Sequence, residues 1–270
     1  MSALKDTAMT AAASNGPSAT LPFKKYWESF LCMLFPHNCA VCGRLLDEGD
    51  LLFFCRGCFR ADPVTPPFCS ICNKPVNANP EVLEKHPAFL NGLVCPECVK
   101  VKKHFSSVIS AFIYRDTVRQ AIHIWKYQPN RKMGTYLLGP FWETVKKRLP
   151  DAKFDLIAAV PIHKSKLSER GFNQAEMLAV YLSEKTGIPY AKGLLRKTGA
   201  RPPSFRMNRK ERIESIKGTF EIRQPDRVSG RSAILVDDVY TTGSTANEAC
   251  RILKIAGAER IQVITLARSV

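Results

Sequence analysis

Residues 233–245 read Ala-Ile-Leu-Val-Asp-Asp-Val-Tyr-Thr-Thr-Gly-Ser-Thr: an apolar run, two adjacent carboxylates, then a turn rich in hydroxyls around a glycine. The hydroxyls of Thr241, Thr242, Ser244 and Thr245 form a cradle for a phosphate dianion. They are helped by Gly243, which lets the backbone approach closely, and by the N–H groups at the start of a helix. Asp237 and Asp238 would repel that phosphate unless they served another part of the same ligand. Sugar hydroxyls, or a metal bridging to a pyrophosphate, fit that place. The chemistry requires a particular local fold, with residues 233–236 as a buried strand ending at the acid pair and residues 246–255 as the helix behind the cradle. Ligands of open α/β sheets bind at that end of a strand.

Thiols form the second constellation. Eight of the ten cysteines fall into four Cys-x-x-Cys pairs: Cys39 with Cys42, Cys55 with Cys58, Cys69 with Cys72, and Cys95 with Cys98. No signal-peptide pattern precedes them, so the expectation is metal rather than a secreted disulfide framework. Two such turns present four thiolates to one tetrahedral Zn2+ with no open position, which makes a structural site. Eight thiolates predict two such ions. Sequential pairing groups Cys39, Cys42, Cys55 and Cys58 in one site and Cys69, Cys72, Cys95 and Cys98 in the other, and spacing alone also permits an interleaved arrangement. Gly43 and Gly57 suit tight knuckles. Cys32 and Cys250 lie on apolar helical faces and read as core thiols.

Further charged groups are placed to meet the acid pair. Val160-Pro161-Ile162-His163 ends a strand, and Lys164, Lys166 and Arg170 follow it, so cations arrive at a strand's carboxyl end where a pyrophosphate needs them. His163 reads as a polar contact to that group, as a solvated loop histidine, or as a general base. Residues 196–217 form a long basic loop. Trp125 and Lys126 end an amphipathic helix, with Trp125 assigned to the core.

Stepping outward, 270 residues suffice for one α/β domain and a small module that needs metal to fold. Residues 1–20 are predicted to be a disordered tail, residues 21–103 an amphipathic helix followed by the zinc module, and residues 104–270 the α/β domain. The helix at 21–35 carries Phe23, Tyr26, Trp27, Phe30, Leu31 and Leu34 on one stripe. Strands are expected at 105–114, 155–162, 190–194, 233–239 and 261–267, and helices at 117–127, 133–148, 175–185 and 246–255. Alternating elements of this kind imply a parallel sheet with helices on both faces. The formal net charge is +16, and all of it falls on residues 101–270, since the first hundred residues balance nine Lys and Arg against nine Asp and Glu. Such an excess favours phosphates or nucleic acid. No apolar run approaches the ~18 residues of a membrane span, so a soluble, cytoplasmic protein is expected.

The 233–245 segment resembles the phosphoribosyl pyrophosphate (PRPP) motif of type I phosphoribosyltransferases. Tyr240 departs from it, because a smaller aliphatic residue is usual there. The Val160–His163 segment with Arg170-Gly171-Phe172-Asn173-Gln174, together with residues 114–127, the basic loop with its Lys-Gly-Thr-Phe ending at Phe220, and the cysteine module, resembles the ComF family. This resemblance implies a type I phosphoribosyltransferase fold behind a double zinc ribbon. It implies that Thr241, Thr242, Gly243, Ser244 and Thr245 hold a 5'-phosphate and that Asp237 and Asp238 contact ribose hydroxyls. Pro161, His163 and Arg170 would serve the pyrophosphate, and Arg201, Arg209 and Arg212 would belong to a lid. Mg2+ would accompany PRPP, and the acceptor is not readable. The family's association with natural transformation adds single-stranded DNA, with Phe54, Phe59 and Phe68 for stacking, and a competence helicase or other DNA-processing proteins as partners. A non-enzymatic binder of PRPP and single-stranded DNA is the alternative.

Overall fold

The computed structural model describes residues 38–47, 50, 53–76, 93–127, 131–198 and 215–270. The expected tail, the helix at 21–35, Cys32, and Arg201, Arg209 and Arg212 lie outside the described residues. After the last cysteine turn, carried by helix α1 (Pro96–Lys100), the chain enters strand β1 (Ser107–Ile113), whose five central residues are all buried. The absence of polar alternation there marks a strand covered on both faces. Helices α2 (Asp116–Tyr127) and α3 (Arg131–Val145) lead to strand β2 (Leu156–Ala159). Two further helices follow, α4 (Lys164–Arg170) and α5 (Gln174–Thr186). A short antiparallel pair, β3 (Leu195–Lys197) and β4 (Phe220–Ile222), flanks the basic loop. Strand β5 (Ser232–Tyr240), helix α6 (Ser244–Ile255) and strand β6 (Arg260–Arg268) complete the fold.

The main sheet is parallel, in the order β1-β6-β5-β2. Its two faces form two cores. Ile109, Ile157, Ile234, Val236, Ile264 and Leu266 point towards α2, α3 and α5, while Val108, Leu156, Ala233, Leu235, Ile261 and Val263 point towards α6.

Three expectations need correction. The strand expected at 155–162 is shorter, because Pro161 has no N–H to continue the ladder and Val160 N–H makes its last bond, to the Val236 carbonyl at 2.9 Å. The strand expected at 190–194 is a single parallel bridge from Tyr190 to Ile157. The chain turns back there, with Leu194 N–H on the Ala191 carbonyl and Gly193 at φ +67. Helix α4 was not expected, since it buries no side chain and so shows no apolar stripe.

The cysteine module straddles the free edge of β1. Residues 62–64 pair antiparallel with that edge, through Ile113 N–H to the Asp62 carbonyl and Val64 N–H to the Ala111 carbonyl, at 2.9 and 3.0 Å. An otherwise open strand edge is thereby closed. The first ribbon places Phe54 in the core on the α2 and α3 face, and the second buries its four cysteines in the core on the α6 face.

Candidate functional site

The two cysteine groups repeat one local construction. Cys39 N–H donates to the Arg44 carbonyl and Cys69 N–H to the Lys74 carbonyl, both at 2.7 Å. Each knuckle closes on its own first cysteine, through Gly43 N–H to Cys39 O and Asn73 N–H to Cys69 O. Gly43 and Asn73 occupy the same left-handed position, at φ 72 and 61; Gly57 is not left-handed. In each group the four Sγ atoms lie within 4.8 Å of one another, grouped sequentially. The Cys42–Cys55 and Cys72–Cys95 separations, 3.8 and 3.7 Å, match the ~3.8 Å edge of a tetrahedron with 2.3 Å Zn–S bonds. Burial raises the Cys39 and Cys69 thiols, but N–H donors around the knuckles outweigh it and bring them down to about 6 and about 7. Both groups fit Zn2+.

Their surroundings differ. In the first group Cys42 is exposed, whereas all four cysteines of the second are buried. Asn73, where the first ribbon has Gly43, accepts a hydrogen bond from Ser110 N–H of β1 at 2.8 Å. Arg268 at the end of β6 donates to the Cys72 carbonyl. The second group is therefore built into the sheet.

The acid pair stands inside β5, in register with the end of β6: Asp237 faces Thr265 and Tyr240 faces Arg268. Asp238 forms an ion pair with Lys126 of α2 at 2.6 Å, and both side chains are largely buried. Burial alone would lower Lys126, yet Asp238 and Asp237 hold it above its ordinary value. Asp237 is raised to about 8, by burial first and then by the negative Asp238 beside it. The Asp238 N–H at 2.9 Å, Lys126 and Lys197 oppose that rise. Burial lowers Lys197 of β3, and Lys166 adds to the effect. Two carboxylates are thus opposed by cations from two separate segments, Lys126 of α2 and Lys197 of β3. Lys126 was assigned to no role at the acid pair from sequence; its signal was a cation closing an amphipathic helix with no acidic partner in its own turn.

The turn after β5 has Thr241 exposed, Thr242, Ser244 and Thr245 part-buried, and Gly243 buried at φ +74 just before α6. Thr242 and Ser244 hydroxyls are 2.8 Å apart. Tyr240, 3% exposed, lies under this turn, between Arg268 (4.9 Å to its ring) and the edge of Phe105. A Cβ on Gly243 would overlap the Tyr240 hydroxyl. Gly243→Ala should therefore destabilise the protein by more than about 2 kcal/mol, the sum of backbone strain and overlap. At Gly171, also left-handed at φ 73, an added Cβ meets nothing within 4 Å, so Gly171→Ala should cost only about 1 kcal/mol. Equal shifts of the two variants in thermal unfolding would contradict the packing under the turn.

Of the second segment, Ala159 pairs with Val236 and Val160 N–H bonds the Val236 carbonyl, which carries Val160 to the level of Asp237 and Pro161 to that of Asp238. His163 caps α4, its Nδ1 accepting from Ser165 N–H at 3.2 Å. Arg170 lies over the ring of Tyr127, the residue after Lys126, at 5.2 Å and reaches Gln174. Gln174 in turn donates to the Trp125 carbonyl at 3.3 Å, so the end of α2 and the Arg170–Gln174 segment are held together. Trp125 is fully buried. Among the expected stacking residues, Phe54 is 0% exposed, Phe59 packs against it at 5.6 Å, and Phe68 is covered by Arg148 at 4.5 Å, so these three rings are engaged within the protein.

Residues 176–269 match the phosphoribosyl transferase domain family. Competence protein F of Haemophilus influenzae is 28% identical over 65% of this chain and 78% of its own length. Competence protein ComFC of Bacillus subtilis is 25% identical over 83% of this chain and 87% of that protein. The chain is similar to these competence proteins over most of its length. In this chain the matched domain begins within α5 and contains β5, the acid pair and the turn, while the two cysteine groups precede it. An adenine phosphoribosyltransferase from Thermoanaerobacter pseudethanolicus is 18% identical over 57% of this chain and 76% of that chain, with a TM-score of 0.35, a likeness too slight to argue from. Among the described residues no helix is long and apolar enough to cross a membrane.

Proposed function

We propose that the chain binds PRPP with Mg2+ at the carboxyl end of β5. In this reading Thr241, Thr242, Gly243, Ser244 and Thr245 take the 5'-phosphate, and Asp237 and Asp238 accept hydrogen bonds from the ribose hydroxyls. Pro161, His163 and Arg170 border the pyrophosphate, and Arg201, Arg209 and Arg212 close over it. The observation that carries the reading is the meeting of the acid pair with Lys126, two residues before a turn whose buried, left-handed glycine opens α6. Bound Mg2+ would screen the pyrophosphate charge. Loss of pyrophosphate from C1' as a nucleophile adds there is the reaction such a site favours, because ribose and phosphate are held from two sides while the acceptor approaches. Lys126 balances the acid pair until the ligand arrives. The zinc module, ending near residue 103, is structural, and its eight thiols suit the reducing cytoplasm.

Names of relatives, such as competence protein F and the Escherichia coli DNA utilization protein YhgH, together with the +16 charge, favour a second role in handling single-stranded DNA, whether or not catalysis accompanies it. Calorimetry with PRPP and Mg2+, followed by pyrophosphate release in the presence of free bases or oligonucleotides, tests both roles. No heat with PRPP would remove the first reading. For the strand, affinity should fall with salt at a log-log slope of about -0.7 per phosphate contacted, and a flat response would remove the second.

A further inference from the structure

A cavity of about 310 Å3 borders the turn and shares Thr242, Gly243 and Ser244 with it. It runs along the outer face of α6 from Thr242–Ser244 past Asn247 to Glu248 and Arg251, and neither Asp237 nor Asp238 lines it. Its opposite wall is the segment joining the second ribbon to β1, with Val101, Lys103 and His104, and Lys217 closes one end. That wall is fixed. Asn247 accepts from His104 N–H at 2.9 Å and donates to the Lys102 carbonyl at 3.3 Å.

The charge of the lining is one-sided. Lys103, Lys217 and Arg251 face a single carboxylate, Glu248, and that carboxylate is already engaged. Arg251 grips it through Nε and Nη2, both at 2.8 Å, and Gly218 N–H donates to it at 2.8 Å. Glu248 therefore holds the Arg251 guanidinium in one orientation. Burial, then Lys102 and Arg251, keep the His104 imidazole below its ordinary pKa, with Glu248 opposing them. A fixed guanidinium, two ammonium groups and the apolar Val101 wall suit an anion carrying a ring. The volume is at the lower end of small-ligand pockets and accommodates one nucleotide-sized group.

We propose that this cavity is a second anion site, which takes the phosphate of a nucleotide, either free or as one residue of a single strand, with its sugar or base against Val101. The proposal goes beyond PRPP binding and does not rest on it. The test uses the full chain, titrated with thymidine monophosphate, with a labelled oligothymidylate and, separately, with PRPP. Arg251→Gln, Lys103→Gln and Lys217→Gln should each weaken thymidylate binding roughly tenfold, the loss expected for one charge-assisted contact, and leave PRPP affinity unchanged. Lys217 is exposed, so its replacement leaves folding intact even if Arg251→Gln does not. Binding of the monophosphate identifies a free nucleotide as the source, and binding of the oligonucleotide alone identifies a strand. The proposal is overturned if neither probe binds the wild-type chain or if the variants bind as wild type. It is equally overturned if PRPP affinity falls in step, which would merge the cavity with the PRPP site. A chain that ignores PRPP but shows the thymidylate pattern would sink the PRPP reading and leave this one standing.

Discussion

Asp237→Asn combined with Asp238→Asn should reduce PRPP affinity more than a hundredfold and leave the protein folded. Each carboxylate lost removes a charge-assisted hydrogen bond of about 1.5–3 kcal/mol, so the pair accounts for about 3–6 kcal/mol. Stability should move the other way. Asp237 is raised to about 8 in the free protein by burial and by Asp238, which means that the folded state holds its proton more tightly than the unfolded chain does. Its contribution to stability is therefore fully present below the ordinary carboxylate range and is lost as pH rises towards 8. Asp237→Asn should raise the melting temperature at pH 8.5 by roughly 2–4 °C per kcal/mol recovered, and should change it little at pH 4. PRPP affinity of the wild-type chain should climb between pH 6.5 and 8.5, as Asp237 sheds the proton that prevents it from accepting hydrogen bonds as a carboxylate. Calorimetry across that range checks the claim; flat affinity, or a double variant that binds PRPP normally, would remove the acid pair from the site.

What the sequence made legible follows the physics of each signal. The run 233–245 disclosed strand, acid pair, turn and helix because each step is local: a run of apolar residues, a glycine, a periodic stripe. The four cysteine pairs disclosed two groups of four thiols that could each hold a metal for the same reason, since ligand spacing within a knuckle is a property of a few residues. Long-range placement was not legible. Lys126 lies more than a hundred residues from Asp238, and only the sheet order together with the packing of α2 on one face brings them together. Helix α4 was hidden because it buries no side chain. His163 reads from sequence as a polar contact, a loop histidine or a general base; that its imidazole also caps that hidden helix is invisible without the helix. Phe54 illustrates the converse: an aromatic residue beside a cysteine looks exposed in a small module, but this ring is buried in the core of the neighbouring domain. Tyr240, which departs from the resembled motif, lies beneath Gly243.

The two four-cysteine groups should respond very differently to the loss of one thiol. The wild-type chain should carry two zinc ions, and Cys42→Ser and Cys72→Ser should each release one. In the first group Cys42 is exposed, and the contact most at risk is Phe54, whose burial in the α2 and α3 core sets a cost of no more than about 3–5 kcal/mol. The turn at 241–245 lies on no path from that group, so PRPP affinity should survive. The second group sits directly behind the turn. Cys72 offers its carbonyl to Arg268, Arg268 stacks on Tyr240, and Tyr240 fills the space beneath Gly243. Ile71 accepts from Val108 N–H at 2.8 Å and Asn73 from Ser110 N–H, so the same knuckle also holds β1. Release of this ion leaves four buried thiols with no partner strong enough to keep them together, and the support of the turn goes with it. Cys72→Ser should therefore lower the main cooperative melt further than Cys42→Ser and weaken PRPP binding at least tenfold, a loss the exposed-site variant does not share. Zinc stoichiometry, melting curves and PRPP calorimetry on the two variants read the difference directly. If both lose one ion and show the same melt and the same affinity, the chain of contacts from Cys72 to Gly243 transmits nothing.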